Sequence, residues 1–325
     1  MAVSRRLLFP LLMVGSGVLS VATFPLKVLS QEASTPVVDG ASQMNVWQGI
    51  FLGFVQGATE FLPISSTAHL KAVPVALGWG DPGSAFSAAI QLGSIAAVLW
   101  YFWGDLTRVL TGAWIAIARK NYQDTDFRIA LGIAIGTFPI VFLGLLVKIV
   151  FEEFYENIVR GMGVIAVVSI VMGLLLGLAE MKGSRQRNFD KLTARDGILM
   201  GCAQALALVP GASRSGSTLT AGLFMGLERE TAARFSFLLG IPAIGLSGLV
   251  ELLGLFKDLS QGRIANSEML TLVAGIISSA IFSYLAIAWL VKFLKTRSTW
   301  IFVWYRLIFG IAILAGLSFG VLQNV

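Results

Sequence analysis

Three long stretches without a single charged residue, 86–103, 164–179 and 308–321, constrain this chain more than any other feature. A helix needs about 18 or more apolar residues to cross a hydrocarbon core roughly 30 Å thick. Composition agrees: 56% of the 325 residues are hydrophobic and 13% are charged, whereas a soluble domain carries about 25% charged residues. The chain therefore reads as an all-α polytopic membrane protein.

The formal charge of +6 does not point to nucleic acid. The basic residues fall in short loops between apolar runs, where they set orientation, and no basic arm or aromatic-interleaved patch is present. The single cysteine, Cys202, excludes an internal disulfide and cannot build a zinc site alone; it reads as a small core residue. Residues 1–30 read as a targeting segment. Arg5 and Arg6 form a positive n-region, 7–24 an apolar run, and Val28-Leu29-Ser30 a small-residue cleavage site. A cleaved signal peptide is expected, an uncleaved anchor being the alternative. Residues 31–45, with Ser, Thr, Pro, Gly and acidic residues, read as a flexible lead-in to a membrane domain over 46–325.

The membrane domain repeats itself. Gly53-Phe-Val-Gln56 is followed by Pro63 and the cluster Ile64-Ser65-Ser66-Thr67. Gly201-Cys-Ala-Gln204 is followed by Pro210 and Gly211-Ala212-Ser213-Arg214-Ser215. A Phe-Ser pair then opens an apolar span in each copy (Phe86-Ser87, Phe235-Ser236), and Arg160 and Arg306 each open a later one. Repeat one covers about 46–181 and repeat two about 197–325. Six spans are expected, near 84–103, 128–150, 161–181, 234–256, 269–291 and 304–322. The interrupted stretches 46–78 and 197–227 suit re-entrant helical hairpins, whose irregular backbone must be buried or line a wet cavity. Loops 104–127, 182–196 and 292–303 are basic, and loop 151–160 carries Glu152, Glu153 and Glu156. The positive-inside rule puts the basic loops in the cytoplasm and the acidic one outside. Each repeat then has an odd number of crossings, so the copies form an inverted repeat whose site is expected where the broken helices meet.

The first hairpin holds Gln56 and Glu60, four residues apart and so on one helix face. Pro63 ends that helix and leaves Ser65, Ser66 and Thr67 at the start of the next, an anion-binding arrangement of hydroxyls and free N–H groups. His69, the only histidine in the chain, lies three residues after Ser66 and is expected to reach back to it as a general base. The second hairpin offers Ser213, Ser215, Thr218 and Arg214, whose planar cation can grip a phosphate through two hydrogen bonds. Each residue alone has a structural reading: a capped carboxylate, a core histidine, an ion-pair partner, hydroxyls bonded back to helix carbonyls. Their convergence at equivalent positions of two repeats favours a site.

The segments from Gln56 to His69 and from Pro210 to Gly216 closely resemble the two signatures of the undecaprenyl diphosphate phosphatase family, also called the bacitracin-resistance proteins: Glu/Gln-x-x-x-Glu running into Pro-(Ile/Val)-Ser-Ser-Thr-x-His, and Pro-Gly-x-Ser-Arg-Ser-Gly. The resemblance extends over about 46–323. It implies a bacterial inner-membrane enzyme that removes one phosphate from a polyprenyl diphosphate carrier of cell-wall precursors, working from the outer face with a divalent cation (Mg or Ca). By that resemblance Glu60 and His69 are catalytic, Ser66 is the candidate nucleophile, and Arg214 and Ser213 hold the diphosphate. Gln56 stands where some relatives have a second carboxylate, which leaves Glu60 as the possible metal ligand. The expected mechanism has His69, oriented by Glu60, accept the Ser66 proton; in the rival, His69 or Glu60 activates water and Ser66 only binds. A transporter or flippase of the phosphorylated lipid is the alternative from another class, since inverted repeats with broken hairpins are a transporter layout. Type 2 phosphatidic acid phosphatase chemistry, which uses two histidines, does not fit a chain with one. Small-residue faces such as Gly173-x-x-x-Gly177 could pack within one chain or between the subunits of a homodimer.

Overall fold

The computed structural model describes residues 44–80, 82–261, 266–322 and 324. The expected targeting segment and nearly all of the lead-in lie outside the described residues. The described chain is helical, with no β-sheet: α1 (Val46–Glu60), α2 (Ser66–Ala76), α3 (Ser84–Tyr101), α4 (Trp103–Ala118), α5 (Thr125–Val150), α6 (Met162–Lys182), α7 (Ala194–Gln204), α8 (Arg214–Phe224), α9 (Arg229–Ser260), α10 (Asn266–Thr296) and α11 (Trp300–Ser318). Among the described residues, five helices are long and apolar enough to cross a membrane, or six if α3 and α4, bent by 65° at their junction, count as one broken span.

Both interrupted stretches are helix–turn–helix hairpins, α1–α2 and α7–α8. The 15 residues of α1 reach about 22 Å, too short to cross. A reciprocal capping box starts α1: Asn45 Oδ1 accepts from the Gln48 amide (3.0 Å) and Gln48 Oε1 from the Asn45 amide (2.8 Å). Thr193 and Asp196 do the same for α7.

Glycines let each first arm lie directly on a long helix of the other half. A Cβ on Gly53 of α1 would stand 2.2 Å from the Gly275 carbonyl oxygen of α10. In α7, a Cβ on Gly201 would stand 2.1 Å from the Gly136 carbonyl oxygen of α5. These are the glycines of the repeated Gly-x-x-Gln, so that part of the repeat encodes a backbone-to-backbone crossing. Gly201→Ala should therefore force the crossing apart and cost about 1–3 kcal/mol, read as a lower thermal midpoint in detergent; an unchanged midpoint would refute the close crossing.

Two expectations are corrected, and one of two open packing alternatives is met. Most of the expected loop 104–127 is helix α4, whose buried Val109, Ala113 and Ala116 form a narrow apolar stripe that charged Asp105 and Arg108 interrupt in sequence. Cys202 is exposed rather than in the core, because an apolar helix in a membrane can turn a small residue outward. Gly173 and Gly177 face α11 of the same chain, 3.1 Å from Arg306 Cβ and 3.4 Å from Trp300 for added Cβ atoms, so this face is used internally.

Ion pairs gather at the basic-loop end. Glu180 accepts from Arg185, Arg229 and the Thr299 hydroxyl, tying α6, α9 and the start of α11 together. Arg187 grips Asp196 with both terminal nitrogens (2.8 and 2.6 Å). Burial alone would raise the Asp196 carboxyl, but the hydrogen bonds from Arg187 and Thr193 outweigh it and hold the group below its usual range. Arg234 pairs with Asp105.

Candidate active site

The two hairpins meet at their turns, and the turns have the same backbone. Ser65 precedes α2 with φ 73° and Ser213 precedes α8 with φ 70°. A serine held in the left-handed region costs about 1–3 kcal/mol and persists where the surrounding structure fixes it. Ser66 and Arg214, each the first residue of the helix that follows, thus occupy equivalent positions. Both reach Glu60 at the end of α1. Ser66 Oγ donates to Glu60 Oε2 at 2.6 Å, and Arg214 Nη2 donates to Oε1 at 3.4 Å.

Gln56 adds a third donor to Glu60, 3.2 Å from Oε2. Behind it lies a hydroxyl chain: Gln56 to Ser94 (3.4 Å), then Ser279 (3.0 Å) and Ser283 (2.8 Å) on α10. An amide at this position holds the carboxylate by donation, where a second carboxylate would have to share a proton with it. The Arg214 side chain is 9% exposed, yet its Nε and Nη1 have no hydrogen-bond partner. Two orphaned donors on a buried guanidinium are a place for an anion.

These groups open on a cavity of about 670 Å³. Glu60, Ser65, Ser66, Thr67, Ser213 and Arg214 line its polar end. The remainder is mostly apolar, from Ile140, Val141 and Leu145 of α5 and Ile244, Leu249 and Leu253 of α9, with Lys148 and Gln91 as additional polar groups. It follows the last turns of α5 before the acidic segment 151–160 and the C-terminal half of α9, so it lies toward the acidic-loop end.

Other candidates sit behind the cavity wall. Ser215 is buried and donates to the Leu62 carbonyl at 3.0 Å, tying one hairpin to the other. Thr218 is fully buried, donates back to the Arg214 carbonyl at 2.8 Å, and meets the Ser236 hydroxyl. The expected contact of His69 with Ser66 is corrected. His69 Nδ1 lies 2.7 Å from the Ser65 carbonyl and Nε2 lies 2.6 Å from the Tyr305 hydroxyl. This pairing makes Nδ1 the donor and Nε2 the acceptor. The ring stacks on Phe309 at 4.3 Å. Both ring nitrogens of His69 are thus taken by Ser65 and Tyr305, while the Ser66 hydroxyl turns to Glu60.

Sequence reasoning missed Tyr305, Lys148 and Glu251, and used Arg306 only as a repeat marker. Glu251 and Arg306 carried a signal, since an ionisable residue within an apolar span is a functional candidate by default. No group of three or more His, Cys, Asp or Glu able to hold a metal occurs among the described residues. A cation held jointly with a diphosphate needs only one or two carboxylates. Glu60, on the cavity wall, is one such carboxylate; Glu251 Oε2 is buried without a partner, and Glu251 is not among the cavity's lining residues.

Comparison with known proteins places this geometry. The undecaprenyl-diphosphatase of Trichormus variabilis is 64% identical over 324 residues, covering 100% of both chains. That of a Nostoc species is 63% identical over the same length, again covering 100% of both. That of a Synechocystis species is 60% identical over 291 residues, 90% of this chain and 88% of the relative. The family model described as bacitracin resistance protein BacA matches residues 49–312, a span that contains both hairpin turns and all of α2 to α10, and the chain belongs to that family.

Proposed function

We propose that this protein hydrolyses undecaprenyl diphosphate to undecaprenyl phosphate and inorganic phosphate in the bacterial inner membrane, with the site reached from the outer face. The observation that carries the reading is Glu60 held between the Ser66 hydroxyl and an Arg214 guanidinium with two orphaned donors. They stand at the polar end of a cavity whose other walls are apolar. Such a cavity suits a charged head group on a hydrocarbon tail. Its position toward the acidic-loop end supports outer access, given that the basic loops stay inside. Reciprocal packing of α1 on α10 and of α7 on α5 supports the inverted-repeat arrangement.

Glu60 replaces His69 as the general base. Ser66 Oγ attacks the terminal phosphorus while its proton passes to Glu60 Oε2; the bond to the bridging oxygen breaks and undecaprenyl phosphate leaves. Glu60 passes that proton to the departing undecaprenyl phosphate. Water then attacks the phosphoserine; Glu60 accepts a proton from it and hands it to Ser66 Oγ as the phosphorus–Oγ bond breaks, and phosphate departs with Ser66 restored. The Arg214 guanidinium, at the polar end of the cavity, stabilises the charge on the equatorial oxygens, where positioned charge contributes most of phosphoryl-transfer catalysis. A divalent cation, held by Glu60 with the diphosphate, would neutralise charge on the phosphate oxygens.

Phosphate release from undecaprenyl diphosphate by the detergent-solubilised chain, with and without a chelator, tests the function. Absence of release with a folded protein would favour transport, which needs two compartments. The tail path has its own test. An added Cβ on Gly144 would meet only Leu208, at an ordinary 3.5 Å, so Gly144→Trp should fold and fill the apolar channel. Turnover of the long lipid should fall about tenfold or more, with a smaller loss for a short prenyl diphosphate. Equal losses on both substrates would place the tail elsewhere.

A further inference from the structure

Arg306, on the second turn of α11, is 1% exposed, and among the described residues no carboxylate bonds to it. It spends each guanidinium nitrogen on a different carbonyl: Nε on Ser169 of α6 (3.1 Å), Nη1 on Pro63 (3.0 Å) and Nη2 on Gly211 (2.7 Å). Pro63 stands two residues before Ser65, and Gly211 two residues before Ser213. The two arms of one planar fork thus grasp the same backbone position in both hairpin turns. Each grasped carbonyl lies just ahead of a serine with positive φ. The surroundings make room: a Cβ on Gly216 of α8 would stand 3.0 Å from Arg306 Nη1. Burying an arginine at this depth is costly, and neutral carbonyls that helices need not leave free are what it finds.

We infer that Arg306 is a positioning residue that latches the two hairpin turns in register, holding both Ser66 and Arg214 against Glu60. It touches neither substrate nor reacting atoms; it acts through the carbonyls of Pro63 and Gly211. Lysine cannot replace it, because an ammonium is a point donor and cannot span carbonyls on two hairpins and α6 at once. The adjacent Tyr305, through His69, supports the Ser65 carbonyl from the same helix. The catalytic consequence rests on the phosphatase reading; the latch itself does not.

The test uses the full chain in detergent, as Arg306→Lys and Arg306→Gln, with Leu294→Ala as a control in the buried core away from the site. Arg306→Lys should lower kcat roughly 10²-fold with KM within about twofold, the pattern of a misplaced reacting group rather than lost binding. Amide hydrogen exchange should quicken in the turns 61–65 and 209–213 of that variant, and not along α10. Leu294→Ala should lower the thermal midpoint and leave kcat and turn exchange unchanged. Wild-type kcat and turn exchange in Arg306→Lys would overturn the latch, as would a kcat loss that Leu294→Ala matches at equal thermal midpoint. If Arg306→Gln does not fold, Arg306→Lys carries the comparison. Faster turn exchange in a chain that never releases phosphate would keep the latch and sink the phosphatase reading.

Discussion

Arg214→Lys lowers kcat by roughly 10²–10³-fold while the protein remains folded, because a single point charge replaces a planar fork that still has two nitrogens without a partner. The native guanidinium spends only Nη2 on Glu60, at 3.4 Å, and keeps Nε and Nη1 unpartnered. A lysine ammonium restores the ion pair with Glu60 and therefore the electrostatics of the empty site. What it cannot restore is a charge spread over a plane with several fixed donors. The loss should appear in kcat more than in KM, since those donors matter most when charge spreads over the equatorial oxygens. Steady-state phosphate release, beside a thermal midpoint showing a folded variant, measures this. Near-normal turnover would remove Arg214 from the transition state and leave it an ion-pair partner.

The second large effect concerns Ser66 and Glu60. Under single-turnover conditions, lipid labelled in its terminal phosphate should leave label on Ser66 before free phosphate appears. Ser66→Ala should abolish the labelled species and reduce kcat by on the order of 10³-fold or more. Glu60→Gln should reduce kcat by about 10²–10⁴-fold, the range for a lost general base. His69→Gln should cost less than Glu60→Gln, because His69 reaches Ser66 only through the Ser65 backbone. If label never reaches Ser66, the covalent route falls and Glu60 is left to activate water directly. If His69→Gln proves the more damaging, His69 and not Glu60 is the base.

The parts of the site visible in sequence were those written as local chemistry. Glu60, Ser66 and Arg214 stand in motifs whose residue types announce anion binding, and the repeat places Ser65 and Ser213 in register. The partnership of His69 was not visible. Its spacing from Ser66 is compatible with contact, but helix rotation turns it toward Tyr305, which lies 236 residues away in sequence. Arg306 was seen only as a repeat landmark, because its three carbonyl partners come from α6 and both hairpin turns and have no signature in sequence. Helix α4 was read as a loop because charge marked its start, while its stripe of Val109, Ala113 and Ala116 is too narrow to stand out among apolar neighbours.

By itself the sequence determined that this chain is a membrane protein with two broken hairpins, because the length of apolar runs and the breaks within them are properties of contiguous residues. It also determined which side chains could bind a phosphate, since hydroxyls and a guanidinium at helix starts carry that chemistry wherever they are placed. Only the tertiary structure decided which of them act on one another. It gave Ser66 to Glu60 and His69 to Tyr305, buried Thr218 between α8 and α9, and set one arginine across both turns. Those assignments depend on helix rotation and on crossings fixed by Gly53 and Gly201, and a difference of one residue's rotation on a helix, about 100°, exchanges one partner for another.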